Sequence, residues 1–379
     1  MTQLALVGCA HIHTPGFVNK LKEREDLKVK SVWDPNPVRA EKRAAELGAA
    51  VVADVKEIWR DKSIAGAVIC SETNRHLDLV LAGARAKKHL FVEKPLGMAS
   101  RDGYKMAAAI EKAGVTFQTG YFMRGLPVHL YLKQLIDAGG FGKITRARGS
   151  NCHEGALGGW FDARPENPAD DWRWMADPAV SGVGAFGDLG THALDILLWL
   201  LGDVTSATGT VDVGTNRYAG CDETGEGQMR FANGAIVTLA AGWLDRANPV
   251  TLEISGTDAH AVVINGHLYL RSEKIEGADG KTPFTSLPEA APAGFDAFLN
   301  AVAGRSDAAL VSAREAAYRS AVMEAMYEGA RKNKWVAPKP APGAKLATAG
   351  QPAAVEQEEG SLKVHGDPVA EGSDIPGSA

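Results

Sequence analysis

Two short stretches combine residue types that could move a proton and a hydride. The first is Glu93-Lys94-Pro95, directly after the apolar run His89–Val92. A lysine at the carboxyl end of a buried strand can hydrogen-bond a substrate hydroxyl and stabilise a developing alkoxide. Taken alone, Glu93 and Lys94 read by default as a solvated pair, and Pro95 can fix a sharp turn through a cis bond. The second stretch is Val183–Gly202, where Asp188 and His192 stand four residues apart. On a helix that spacing puts both side chains on one face, one turn apart. The residues from Leu194 to Leu201 are nearly all apolar, so this helix is expected to be buried almost all round, and Gly202 supplies a left-handed stop. A carboxylate and an imidazole in such a place need partners or a task. Spacing leaves both open: a satisfied core pair, or part of a catalytic site.

The elements that would hold these residues are legible in the alternation of the first 120 positions. Apolar runs at Leu4–Gly8, Val29–Trp33, Ala67–Cys70, His89–Val92 and Val115–Thr119 read as strands. Between them Pro37–Gly48, Arg75–Lys87 and Ser100–Gly114 carry helical spacing. Such alternation predicts βαβ units and a parallel sheet covered on both faces, with ligands beyond the strand carboxyl ends. The first turn, Gly8-Cys9-Ala10-His11-Ile12-His13, lies after a strand and opens a helix, the context for a dinucleotide pyrophosphate. Gly8 and Ala10 give the backbone room to approach phosphates, while His13 stands where a third glycine would be. Asp34, at the end of the second strand, is placed to accept from the ribose hydroxyls of an adenosine and to repel a 2′-phosphate. The expected cofactor is therefore NAD rather than NADP, with Arg39 the one nearby cation favouring the latter. Ser71, Glu72, Asn74 and His76, after the strand Ala67–Cys70, are further candidate cofactor contacts. Thr73 among them is also a ready helix cap.

After Gly120 the pattern changes. A helix is expected from about Leu126 to Ala138, then a strand at Ile144–Asn151, a long loop rich in Trp and Pro, and the buried helix. Strands without intervening helices follow at 207–213, 226–231, 235–242, 250–255, 261–264 and 268–271. Asn233-Gly234 and Asn265-Gly266 are hairpin signals. Ser312-Ala313-Arg314-Glu315 is a capping box for a last helix running to about Lys334. The loop carries Trp160, Phe161, Trp172 and Trp174 among Asp162, Arg164, Asp171 and Arg173. Flat aromatic faces beside polar groups suit a sugar or cyclitol ring, and they equally suit the anchoring of a long loop. Arg124, just after the last strand of the first half, is a second candidate for the substrate wall.

The chain has 379 residues, 45% hydrophobic and 23% charged, with a net charge of −5. That length predicts two domains, and that charge excludes a generic phosphate-backbone binder. No apolar run reaches the roughly 18 residues that would span a bilayer. Leu6-Val7-Gly8-Cys9 imitates a lipoprotein cleavage box but has no basic start before it. The cysteines Cys9, Cys70, Cys152 and Cys221 are scattered, which predicts a reduced cytoplasmic chain and no metal site. Residues 337–379 are rich in Pro, Ala, Gly and Glu and are expected to be disordered.

Together these residues resemble the Gfo/Idh/MocA oxidoreductases over about residues 3–336. The marks are Glu93-Lys94-Pro95, Trp172-Arg173, and Ser181-Gly182-Val183-Gly184 leading into Asp188-Leu189-Gly190-Thr191-His192-Ala193-Leu194-Asp195. The resemblance implies an α/β fold: an N-terminal Rossmann domain, 1–121, and a C-terminal α/β domain, 122–336, with a large, mostly antiparallel open sheet. It implies Lys94, Asp188 and His192 as catalytic residues, His192 also touching substrate beside Trp172 and Arg173. The implied cofactor site comprises Gly8, Ala10, His11, Ile12, His13, Asp34, Ser71, Glu72, Asn74, His76, Glu93 and Lys94. The implied partner is a small polyol or sugar, and the implied assembly a homodimer or homotetramer. The expected reaction is NAD-dependent hydride transfer at a secondary alcohol or ketone of a sugar, cyclitol or keto-glycoside. Redox-neutral glycoside cleavage through transient oxidation is the alternative, and a non-catalytic NAD-sensing protein is a third.

Overall fold

The computed structural model describes residues 1–305 and 309–344. The first half is one six-stranded parallel sheet with its helices. Its elements are β1 (Thr2–Val7), α1 (Thr14–Lys22), β2 (Leu27–Trp33), α2 (Pro37–Leu47), β3 (Ala50–Val51), α3 (Val55–Arg60), β4 (Ile64–Ile69), α4 (His76–Arg85), β5 (His89–Val92), α5 (Ser100–Ala113) and β6 (Phe117–Thr119). The strand order is β3-β2-β1-β4-β5-β6, every pair parallel. This is the doubly wound order, and its direction reverses between β1 and β4, where a crevice opens beyond the strand ends. Local chemistry sets the helix ends. Pro37 occupies the first turn of α2, the Asn36 side chain accepts from Val38 N–H, and Gly48 closes the helix in the left-handed conformation.

Alternate side chains of each strand enter different cores. Leu4 and Leu6 pack with Val18, Ala40 and Phe91 on one face; Ala5 and Val7 pack with Val80, Met106 and Ile110 on the other. A helix not expected from the sequence, α9 (Gly294–Val302), completes the first face through Phe295, Phe298 and Leu299. Their i, i+3, i+4 spacing is its signal, obscured by the Pro- and Ala-rich run before it.

The second half contains α6 (Pro127–Asp137), β7 (Ile144–Cys152), α7 (Pro178–Ser181), α8 (Ala185–Leu201), β8 (Val204–Asp212), β9 (Thr224–Phe231), β10 (Ile236–Gly242), β11 (Val250–Gly256), β12 (Ala259–Ile264), β13 (His267–Ser272) and α10 (Ala313–Lys332). The seven strands run β13-β12-β11-β7-β10-β9-β8, with β7 and β10 parallel and the other pairs antiparallel. β9 alternates buried and exposed positions along its length, so one face meets the core and the other is open. α8 is buried at every residue except Trp199, which is half-buried. It lies over the middle of the sheet, on β7, β9 and β10.

Two boundaries differ from expectation. α10 belongs to both halves: Ala313, Ala316, Ala317 and Ala321 enter the first core, while Val322, Met323, Ala325 and Met326 enter the second. And the run from 337 is anchored as far as Ala341, with Pro338 and Ala341 buried. Lys339 C=O accepts from Tyr104 Oη at 2.9 Å, and Ala341 is buried in the first core. Composition underrates this segment because its alanine and proline side chains cost little entropy to bury. Residues 345–379 of that expected tail lie outside the described residues.

A buried ion-pair group ties α8 to both neighbours. Arg124 clasps Asp195 in a two-pronged pair, Nε and Nη2 donating at 2.9 and 2.6 Å, and also reaches Glu315 at 3.0 Å. Arg319 Nε donates to the same Asp195 at 2.9 Å. Asp195→Ala would leave two buried guanidinium groups with only the more exposed Glu315 between them, and unfolding in urea should show a loss of about 3–5 kcal/mol. The exposed pairs of Arg146 and Arg148 with Glu253 give the contrast: Glu253→Ala should cost under about 1 kcal/mol. Equal losses in the two variants would refute the assignment of Asp195 as a keystone.

Candidate active site

The crevice at the β1/β4 switch point starts at Gly8, which has φ of +77°. A Cβ there would lie 2.5 Å from Cβ of Ser71 and 2.6 Å from its backbone, so only glycine lets these two strand ends close. The turn is then pinned: Gly8 N–H donates to Trp33 C=O, His11 N–H to Cys70 C=O, and Cys9 N–H to Asp34 Oδ2 at 2.6 Å. Among the described residues the amides of Ala10 and Ile12 have no protein acceptor, and α1 begins immediately afterwards. Free amides at a helix start are what a pyrophosphate requires. Gly8→Ala adds at least about 1–2 kcal/mol of backbone strain, and NADH affinity read by fluorescence titration should fall about tenfold or more. An unchanged affinity would place the dinucleotide elsewhere.

Asp34 is buried at the end of β2 and also accepts from Asn36 N–H at 2.8 Å. Burial pushes its carboxyl above the usual range, partly offset by these backbone donors. Each oxygen keeps a lone pair for a ribose hydroxyl. Arg39, the cation that could have welcomed a 2′-phosphate, is held by Glu72 at 2.8 Å. Glu72 thus acts on the cofactor site by neutralising Arg39. Ser71 is buried behind Gly8, and Asn74 is exposed beside it. His76 corrects the sequence reading. Its two ring nitrogens face Leu96 C=O at 3.2 Å and Ser71 C=O at 3.3 Å, and the one N–H of a neutral ring donates to one of them, so the buried ring is turned to the backbone of two loops. Burial holds it neutral, its pKa below the usual value.

Lys94 follows β5, and its bond to Pro95 is cis. Its ammonium reaches across to α8, donating to Asp188 Oδ1 at 2.6 Å and to Asp188 C=O at 3.1 Å. Of the readings that the spacing left open, a pair between Asp188 and the His192 ring is not what the structure shows. Asp188 instead holds Lys94 with one oxygen and accepts Trp243 Nε1 at 3.2 Å with the other. Burial alone would raise the Asp188 carboxyl, but the Lys94 charge and hydrogen bond outweigh it and hold its pKa at about 2. Trp243, wholly buried just past β10, was not foreseen, because nothing in sequence marks which tryptophan meets a carboxylate 55 positions away.

His192 lies one turn along α8 from Asp188, packed near Tyr121 and Phe122 with ring centroids 6.1 and 5.5 Å away. Its Nδ1 is buried without a hydrogen-bond partner among the described residues. Burial first, then the positive field of Lys94, push its pKa well below 6.5. A neutral imidazole with an unused nitrogen can take a proton. On the other side of the strand end, Glu93 is fully buried, with His13 Nδ1 at 3.0 Å and His11 Nδ1 at 3.8 Å from its Oε1. A cavity of about 540 Å³ opens there, lined by Ile12, His13, Phe17, Glu93, Gly120 and Phe122. A second cavity, of about 560 Å³, lies beyond Pro95, between Gly182–Gly184 and Tyr327, and contains none of Lys94, Asp188 and His192.

The aromatic loop is anchored at several points. Trp174 Nε1 donates to Ala10 C=O at 2.9 Å, tying the loop to the first turn. Phe161 packs on Trp243 with centroids 4.4 Å apart, and Asp170 pairs with Lys42 and Arg43 of α2. Trp172 is half-buried under the Arg164 guanidinium, 4.6 Å from its ring centroid. Arg173 is exposed and paired with Asp171 at 2.9 Å. Arg124 is a correction: its guanidinium is consumed by Asp195 and Glu315, so it braces the fold and does not line a wall.

Residues 2–121 match the sequence model of an oxidoreductase family with an NAD-binding Rossmann fold, and 129–262 match the C-terminal domain of GFO/IDH/MocA proteins. Bacillus subtilis scyllo-inositol 2-dehydrogenase (NAD(+)) is 32% identical over 272 residues, 69% of this chain and 72% of that protein. The chain belongs to the Gfo/Idh/MocA family. Levoglucosan dehydrogenase of Pseudarthrobacter phenanthrenivorans, another Gfo/Idh/MocA relative, is 26% identical over 66% of this chain and 67% of its own length. A solved levoglucosan dehydrogenase in complex with NADH and levoglucosan has the same fold, with a TM-score of 0.70 at 21% identity over 88% of this chain and 98% of that one. Gfo/Idh/MocA membership makes the protein an NAD-dependent oxidoreductase. The free amides of Ala10 and Ile12, the cradle at Gly8 and the buried Asp34 fit that cofactor. Among the described residues no helix is long and apolar enough to cross a membrane.

Proposed function

We propose that this chain oxidises or reduces a secondary alcohol or ketone on a sugar, cyclitol or keto-glycoside. One observation carries the reading. Lys94 from the first half and Asp188 from the second meet at 2.6 Å, one helical turn from a buried imidazole with an unused nitrogen. When bound, NAD supplies the hydride acceptor or donor. Asp34 and the Gly8–His13 turn hold the dinucleotide. His192 takes the hydroxyl proton, being neutral at working pH. Lys94 donates to the same oxygen and offsets the negative charge that grows on it. Asp188 and Trp243 fix where that ammonium stands. Trp172 and Arg173 border the substrate.

The names of relatives support this substrate class: scyllo-inositol 2-dehydrogenase, the Thermotoga maritima myo-inositol 2-dehydrogenase and the Ensifer adhaerens 1,5-anhydro-D-fructose reductase. A second reading, redox-neutral bond cleavage, draws support from relatives named 2,7-anhydro-N-acetylneuraminate hydratase. A panel of sugars, inositols, anhydro-sugars and their keto derivatives, with NAD(H) and NADP(H), tests both. Net change in reduced nicotinamide supports the first reading, and product release without it supports the second. Saturable NAD binding with neither outcome would leave a sensing role and overturn both. The open face of the second sheet suits assembly into a homodimer or homotetramer, to be read by light scattering. Four unpaired cysteines support a cytoplasmic location.

A further inference from the structure

We propose that His11, His13 and Glu93 form a binding site for one divalent transition-metal cation of the zinc type. Their donor atoms, two Nδ1 and one carboxylate oxygen, all lie within 4.8 Å of one another. A tetrahedral zinc centre with bonds near 2.0–2.2 Å needs donors about 3.3 Å apart. The two separations from Glu93 Oε1, 3.0 and 3.8 Å, lie on either side of that value. A cation would have to draw in His11 Nδ1, the donor farther from Glu93 Oε1.

His11 Nδ1 is ready for a metal, while His13 Nδ1 must give up the proton it donates to Glu93 Oε1 at 3.0 Å. His13 N–H donates to His11 Nδ1 at 3.2 Å, so that nitrogen carries a lone pair and not a proton. This contact is long and is readily exchanged for a stronger bond. Glu93 is oriented by Lys94 N–H, which donates to its Oε2 at 2.8 Å and leaves Oε1 for the imidazoles. The His11 ring packs on Trp174 at 5.9 Å, which is itself tied to Ala10.

The charge balance asks for a cation. The Glu93 side chain is fully buried, and among the described residues no Lys or Arg pairs with it. The adjacent Lys94 ammonium is committed to Asp188. The partners of this carboxylate are the His11 and His13 rings, and a divalent ion held among the three would put a fixed positive charge beside it. The site is also reachable. His13 is 43% exposed and, with Glu93, lines the cavity of about 540 Å³. Three protein ligands facing an open position are the arrangement of a metal that can take a further ligand. The sequence concealed the set because its third member lies 80 positions from His13.

This inference does not depend on the hydride-transfer reading, and its test reads metal rather than turnover. The untagged full-length chain, stripped with chelator and free of NAD, is titrated with Zn²⁺ by calorimetry and with Co²⁺ by visible absorption. The expected result is one equivalent per chain, with the d–d bands of a tetrahedral Co²⁺ centre. His13→Ala, an exposed position that should leave folding intact, is expected to weaken Zn²⁺ binding by about 10–100-fold or more, and Glu93→Gln likewise. Far-UV circular dichroism melts of both variants guard against misfolding. No binding to the parent chain, or binding unchanged in folded His13→Ala, would overturn the proposal and leave Glu93 paired to His13 alone.

Discussion

Replacing Lys94 by methionine is expected to lower kcat by about 10²–10³-fold, because one donor aimed at a developing oxyanion is lost while the chain stem remains. NADH affinity should change little, since Gly8, Asp34 and the amides of the first turn are untouched. The variant also strands a buried carboxylate, Asp188, which keeps only Trp243 as a side-chain donor. A stability loss must therefore be separated from a chemical one. The double variant Lys94→Met with Asp188→Asn removes the stranded charge. Its melting temperature should recover toward that of the parent, and its kcat should not. Recovery of activity along with stability would show that Lys94 only balances charge.

His192→Gln should lower kcat/KM by about 10²–10⁴-fold, the usual worth of a positioned general base. The pH profile supplies a second readout. Burial and the Lys94 field hold the His192 pKa well below 6.5, so the ring is already deprotonated at neutrality. Activity should be level from pH 6.5 into the neutral range and should fall only as acid protonates the imidazole. That acidic limb should vanish in His192→Gln. An acidic limb centred at or above 6.5 in the parent would assign the base to another group.

Much of this was readable before any coordinates. The parallel sheet, the position of Asp34 and the all-round burial of α8 follow from periodicity and strand ends, and the meeting of Lys94 with that helix was implied by the family resemblance. What was not readable concerns side chains that choose between distant partners. Arg124 looked like a wall residue because it follows β6, but its guanidinium finds Asp195, 71 positions on, and a buried two-pronged pair outweighs exposure to a cleft. His76 looked like a cofactor contact because it follows β4, yet its ring is buried between two loop carbonyls, one of which takes its N–H. Asp188 and His192 share a helix face, but sharing a face does not make them partners when a lysine and an indole approach the carboxylate first. The aromatic loop could be read as a wall or an anchor, and Trp174 and Asp170 make it at least an anchor.

The last long helix crosses from one core to the other without a break. Its first half is seated among the helices of the parallel sheet, and its second half under the antiparallel one. A continuous rod fixed at both ends resists the rocking that would open and shut the gap between Lys94 and Asp188. The spacing of Lys94 and Asp188 is therefore expected to be set by construction rather than by motion. In the proposed reaction, selectivity would then fall to the side chains of the pinned loop, and swapping those side chains should retune it without disturbing the frame.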